Sequence, residues 1–386
     1  MQSSQEAARI RKLILAAGGG DERIREAIRE LGEEWVASAL LDELVHRAEL
    51  GAIPQLAQRP ITVRFELGHD GATTPCSVRS AGAETVTTVG DPDGDETAHA
   101  TVELDLLQLT RAVFGPCGAG TAVDRRISWR DFEEPEALAA DMHVLPVVQH
   151  LLSGTVEQPI DLSGLSLRYG SDKWGLHFYA QHYERHFGPL RDRPLVVLEL
   201  GIGGYDDPAA GGGSLRMWKR FLPRSLVYGV DVFDKSQVAE QRLFTVRGDQ
   251  ADPEFLESLI AEIGPVDIVI DDGSHYCPDV VSTFRTLFRH VVPGGLYVIE
   301  DLQTSYWPAY GGTSARPEDP ATTMGFLKQL LDGLHHEEFL PAGAREPSEF
   351  DRTVVGAHFY HNLVFLEKGR NAEGTIPQWV GRERPI

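Results

Sequence analysis

No run of eighteen or more apolar residues occurs in the 386-residue chain, so no membrane-spanning helix is expected. Cysteine is scarce. Cys76, Cys117 and Cys277 show no CxxC spacing and cannot build a disulfide framework, which fits a reduced, cytoplasmic protein. Positive charge is also in deficit, with 36 Lys+Arg against 58 Asp+Glu and a formal net charge of −22. Such a chain repels polyanions, so nucleic acid is not an expected partner, and the acid excess reads as solvated surface. No secretion signal stands out: the N-terminal MQSSQEAARIRKLILAAGGG reads as an amphipathic helix whose charges interrupt any apolar core segment.

What is present divides in two. Through about residue 150 the spacing predicts helices over Gln5–Ala17 and Asp21–Leu50. Strand-like pieces follow at ITVRFEL (61–67) and TVELDLLQLTRAVF (101–114), the latter turning helical, with the acidic, turn-rich GDPDGDETAHA between them. No catalytic constellation stands out here. Residues 1–155 are therefore expected to form an α+β auxiliary domain serving as scaffold, oligomer contact or substrate lid.

Residues 156–386 read as α/β. The apolar runs PLVVLEL (194–200), LVYGVD (226–231), LFTVR (243–247), VDIVI (266–270) and GLYVI (295–299) are separated by helical stretches such as Ser214–Phe221, Pro253–Ile263 and Pro278–His290. Near-continuous apolar strands with helical crossovers predict a parallel sheet buried on both faces. VVGAHFY (354–360) and LVFLEK (363–368) are joined only by His361–Asn362, too short for a parallel crossover, so they must pair as an antiparallel hairpin. Five parallel strands and a terminal antiparallel hairpin make the Rossmann-like layout of class I methyltransferases, not that of a dehydrogenase.

The first of these strands ends in LELGIGGYDDPAAGGGSLRMW. Gly201, Gly203 and Gly204 permit a tight turn and close approach of a ligand. A dinucleotide fingerprint would need glycine where Asp206 stands, which argues against NAD. S-adenosylmethionine has no pyrophosphate, and an acid ahead of a looser glycine loop, here Glu199, suits it. Ser214 is expected to cap the following helix. Asp231 ends the second strand, where ribose hydroxyls are held, and Asp249 and Gln250 follow the third, placed to meet an adenine.

Two apolar runs end in paired acids. IVIDDGSHYC carries Asp271, Asp272 and His275; GLYVIED carries Glu300 and Asp301. Ligands of parallel sheets bind outside the carboxyl ends of the strands, so these acids are expected to converge. Clustered carboxylates repel unless protonated or bridged by a cation. Oxygen donors without a cysteine cluster favour Mg²⁺, with Mn²⁺ or Ca²⁺ behind it and zinc less suited. Asp271 could instead cap the next helix. His275 is open to three roles: metal ligand, general base or surface residue. As a base it would take the proton of an alcohol that a nearby divalent cation acidifies. In LSLRYGSDKWGLHFYAQHYERHF (165–187), His177, His182 and His186 fall roughly at helical spacing. A helix packing aromatics over the cofactor pocket suits that pattern better than a zinc cluster. Tyr306, Trp307 and Tyr310 follow the second acid pair and suit stacking on a sugar or polyketide.

The segments RYGSDKWG, HYERHF, LELGIGGY, SLRMWKR, LVYGVD, DIVIDDGSH, GGLYVIEDL and EKGRN together resemble the metal-dependent deoxysugar O-methyltransferases of actinobacterial antibiotic pathways. The likeness covers most of 160–380 and is weaker over 1–150. It implies that Asp272, Glu300 and Asp301 hold Mg²⁺ and that His275 is the base. The cofactor set becomes Ser171, Glu199, Gly201, Gly203, Gly204, Tyr205, Ser214, Asp231, Asp249, Gln250 and Asp271, with Asp271 facing the cofactor or capping its turn. It further implies a glycosylated polyketide or macrolide as acceptor, no membrane partner, and a homotetramer whose N-terminal domains help enclose neighbouring active sites. The rival readings are a catechol- or flavonoid-type Mg²⁺-dependent O-methyltransferase and a non-catalytic protein that keeps an adenosyl site for assembly.

Overall fold

The computed structural model describes residues 2–53, 56, 60–81, 84–90, 98–117, 123–130, 144–156, 160–339 and 345–373. Most of the expected acidic loop, 91–97, lies outside them. The chain divides into two compact units. One comprises Met1–Asp161, Pro189–Pro194 and Arg220–Arg224; the other comprises Leu162–Gly188, Leu195–Lys219 and Ser225–Ile386.

The first unit opens with helices Gln2–Ala17, Asp21–Leu31 and Glu33–Ala48. The single helix expected over Asp21–Leu50 is two, because Gly32 adopts φ +89° and breaks the hydrogen-bond ladder. A five-stranded sheet follows, of β1 (Ile61–His69), β2 (Ala72–Ala81), β3 (Glu84–Val89), β4 (Ala100–Asp105) and β5 (Arg125–Trp129), in the order β3-β2-β1-β4-β5. TVELDLLQLTRAVF turns from strand to helix at Asp105, whose carboxylate accepts from the Gln108 amide and caps Leu106–Phe114. The sequence reading missed β2, β3 and β5. Their apolar alternation is diluted by Thr, Ser and Arg, although Asp70–Gly71, both at positive φ, carries the Asp-Gly signature of a two-residue hairpin.

The second unit holds a seven-stranded sheet of β6 (Val196–Leu200), β7 (Leu226–Asp231), β8 (Leu243–Arg247), β9 (Val266–Asp271), β10 (Val291–Ile299), β11 (Val354–Tyr360) and β12 (Leu363–Lys368). The order is β11-β12-β10-β9-β6-β7-β8. The five strands β6 to β10 pair in parallel, and the β11–β12 hairpin adds antiparallel to β10. This is the expected class I methyltransferase layout. Register places the functional segments together. Leu200 and Ile299 both lie opposite Asp271, the Asp272 amide donates to the Leu200 carbonyl (3.0 Å), and the Glu300 amide donates to the Asp271 carbonyl (3.1 Å). The acid-bearing tips of β9 and β10 and the glycine loop after β6 therefore leave the sheet at one level.

Candidate active site

A cavity of about 560 Å³ opens at the carboxyl ends of the parallel strands. Ser171, Gly201, Gly203, Gly204, Tyr205, Ser214, Asp231, Asp249 and Gln250 line it, together with Asp272, His275 and Asp301. Gly201 is at φ +89°, and a β-carbon there would run into the carbonyl oxygen of Asp272, so only glycine lets β6 pass β9 at this turn. Asp231 spans the floor: its carboxylate accepts from the Ile202 amide (3.0 Å) and the Phe233 amide (3.0 Å). Asp249 accepts from the Ala251 amide (2.8 Å).

Of the expected cofactor residues, Asp271 and Glu199 lie beneath the cavity, while Gln250 and Ser214 line it with side chains tied to those two acids. Gln250 donates to Asp271 (3.1 Å) and to Thr283 (3.3 Å) and accepts from the Ser274 amide (2.6 Å), so it braces the turn after β9. Asp271 is buried between Gln250 and the Tyr297 hydroxyl (3.3 Å) and neither lines the cavity nor caps the next helix. Burial, only partly offset by the Gln250 hydrogen bond, raises its pKa to about 6. Ser214 lies inside the Gly213–Phe221 helix, not at its cap, and its hydroxyl donates to Glu199 (2.6 Å).

Glu199 is fully buried and off the cavity wall. Its second oxygen accepts from the Trp218 indole (2.7 Å), so it pins the helix after the glycine loop to β6. Burial raises its pKa from 4.5 to about 8, against the opposing pull of Lys173. The unfolded carboxyl ionises near pH 4.5 and the folded one near pH 8. This group's stabilising contribution is therefore complete below pH 4.5 and is lost as pH rises to 8, by roughly 4 kcal/mol. Urea titrations across pH 5 to 8 should show the native protein losing stability by about that much more than Glu199→Gln. Parallel pH profiles would refute the assignment.

The acid centre is ordered donor by donor. Asp272 presents Oδ1 towards the His275 Nε2 (3.9 Å), and Asp301 presents Oδ2 to the same nitrogen (3.6 Å). One ligand atom from each of Asp272, His275 and Asp301 lies within 4.8 Å of the other two. The opposite oxygens are held by protein donors: Asp272 Oδ2 by the Lys173 ammonium (2.5 Å) and Asp301 Oδ1 by the Tyr179 hydroxyl (2.8 Å). Glu300, expected in the ligand set, lies deeper. The Tyr183 hydroxyl (2.5 Å) fills one of its oxygens and Lys173 (2.9 Å) the other, so the structure does not bring it into the open cluster. His275 and Asp301 both sit at φ +53°, a strained conformation for non-glycine residues that aims them into the cleft.

Three carboxylates (Asp172, Asp272, Glu300) thus meet one ammonium, with Asp301 across His275 from Asp272. Burial holds Asp272 and Glu300 above the ordinary carboxylate range, and their mutual repulsion adds to it for Glu300, even with Lys173 between them. A set of hard oxygen donors short of positive charge fits a divalent cation of the Mg²⁺ type.

Lys173, Tyr179 and Tyr183 were not singled out from the sequence. A lysine inside RYGSDKWG reads as solvated surface, and only the fold buries it to 1% exposure. The three histidines of that region part company. His177 precedes the Ala180–Phe187 helix, stacks on Tyr179 and approaches Asp301 (3.8 Å). His182 stacks on Tyr360, and His186 meets the Tyr360 hydroxyl (3.0 Å). The helix packs Tyr183 and Phe187 against Trp218 and Phe365. Tyr306 and Trp307, following Asp301, are exposed.

A family profile described as MycE methyltransferase N-terminal matches residues 10–125. The chain is 46% identical over 377 residues to the 8-demethyl-8-alpha-L-rhamnosyl tetracenomycin-C 2'-O-methyltransferase of Streptomyces olivaceus, covering 94% of this chain and 95% of that one. It is 43% identical over 387 residues to the demethylmacrocin O-methyltransferase of Streptomyces fradiae, covering 99% and 97%. A solved structure of MycE methyltransferase from the mycinamycin biosynthetic pathway, in complex with Mg, SAH and mycinamycin VI, matches with a TM-score of 0.84 at 38% identity, covering 98% of this chain and 97% of that one.

Proposed function

Since this chain belongs to the family of O-methyltransferases that modify the sugars of glycosylated antibiotics, we propose that it methylates a hydroxyl of a rhamnose- or allose-type deoxysugar on a glycosylated polyketide or macrolide. The observation that carries this reading is the convergence of Asp272, Asp301 and His275 on one spot beside the cavity. The turn Gly201–Tyr205, Ser171 and Ser214 would take S-adenosylmethionine, with Asp231 and Asp249 at its ribose and base ends. Asp272 and Asp301 would hold Mg²⁺, backed by Glu300. When bound, the cation supplies Lewis acidity to a sugar hydroxyl and S-adenosylmethionine supplies an electrophilic methyl group.

The chain's own residues do the rest. His275 accepts the hydroxyl proton at Nε2, within reach of both ligating acids. Tyr179 and Lys173 each hold one carboxylate oxygen, so the other stays aimed at the cleft. The exposed rings of Tyr306 and Trp307 offer apolar faces to sugar or aglycone.

Labelled methyl from S-adenosylmethionine should pass to a rhamnosylated polyketide or macrolide at least about a hundredfold faster, in kcat/KM, than to a catechol. A preference for catechol would sink the sugar assignment. No helix among the described residues is long and apolar enough to cross a membrane, and a cytoplasmic site of action is proposed with it. For the assembly we propose a homotetramer, with the N-terminal unit as its oligomerisation and substrate-enclosing domain. Light scattering should then give about four times the 42.5 kDa chain mass, and a monomer would exclude it.

A further inference from the structure

Lys173 is the one buried cation of the acid centre among the described residues, and its environment is fully built. Its three N–H donors meet three carboxylates: Asp272 Oδ2 at 2.5 Å, Glu300 Oε2 at 2.9 Å and Asp172 Oδ1 at 3.2 Å. Its carbonyl accepts from the amides of Tyr179 (3.1 Å) and Ala180 (3.0 Å), which ties it to the start of the helix that supplies Tyr183. Lys173 is also among the residues around the cavity, with Asp272, His275 and Asp301. An ammonium removed from water to this degree is tolerated only because anions surround it, and those anions are in turn tolerated only because it is there.

We propose that Lys173 is the resident counter-cation of the acid centre, holding Asp272 and Glu300 in place without metal and limiting how tightly a divalent cation binds by the positive charge it places beside the site. The inference rests on the metal reading of the site given above. Two consequences follow from charge alone. A +1 group a few ångströms from a +2 ion opposes its entry, so the centre binds and releases its cation reversibly instead of trapping it. The arrangement of the acids therefore does not depend on the cation, which enters a site already assembled.

The test is calorimetric titration of Mg²⁺ into metal-stripped full-length protein, for the native chain, Lys173→Met and Lys173→Arg. Lys173→Met should bind Mg²⁺ at least about tenfold more tightly, and its metal-free form should melt lower and regain stability on adding Mg²⁺. Lys173→Arg, which keeps the charge, should stay within about threefold of the native affinity. Equal or weaker binding by Lys173→Met overturns the inference, because a merely structural lysine would lower affinity when lost. If Lys173→Met does not fold without metal, refolding only in the presence of Mg²⁺ supports the role, and failure in both conditions counts against it. No binding by the native chain would instead overturn the metal reading itself.

Discussion

Methyl transfer should fall at least about a thousandfold when divalent metal is stripped with EDTA, and should return when Mg²⁺ is restored. Asp272 Oδ1 and Asp301 Oδ2 point at one spot, each with its other oxygen already bound by Lys173 or Tyr179, so the remaining oxygens face His275 and the cavity. Without a cation, a sugar hydroxyl placed there keeps an alcohol's ordinary pKa and meets acids that repel its developing negative charge. Several kilocalories per mole of stabilisation are then missing from the barrier, which is the stated factor. Asp301→Asn should reproduce the loss, since it preserves shape and Tyr179 can still donate to its oxygen while the negative charge is gone. Undiminished transfer after exhaustive chelation would remove the metal from the reaction.

Replacement of His275 by alanine should lower kcat by about 10²–10⁴-fold while leaving the Mg²⁺ affinity within about threefold. His275 stands in a turn between β9 and the Cys277–Leu287 helix, at φ +53°, with Nε2 between the two ligating acids. A base in that place takes the proton as the hydroxyl oxygen attacks, so its loss falls on the chemical step and not on assembly of the site. The paired measurement is decisive. If Mg²⁺ affinity collapses together with kcat, His275 is a ligand and the proton leaves by another route.

The sheet was legible because its signals are local. The strand segments β6 to β10 read as apolar runs of strand length, and the two residues between β11 and β12 are too few for any connection but a hairpin. The N-terminal sheet was less legible. β2 and β3 pair mostly through Thr, Ser and Arg, whose burial is settled by neighbouring strands and not by a clear period of two. The acids at the strand tips were visible for the same reason as the strands: a polar pair ending an apolar run is a local event.

Their division of labour was not. Asp271 and Asp272 are adjacent, and successive side chains of an extended chain point to opposite sides, so one had to enter the layer beneath the cavity and the other the cavity itself. Which one did so depends on where Gln250, Tyr297 and Lys173 arrive from other elements. Glu199, Glu300 and Lys173 make the same point more strongly. By itself, the sequence determined the parallel sheet, its closing hairpin, the glycine turn at Gly201 and the presence of acids at two strand tips, because each follows from residue types within a few positions of one another. Tertiary structure alone decided that Glu199 and Glu300 lie beneath the site and that Lys173 is sealed among them. The stability of a buried charge depends on partners such as Asp272, ninety-nine positions away, and not on its neighbours in the chain.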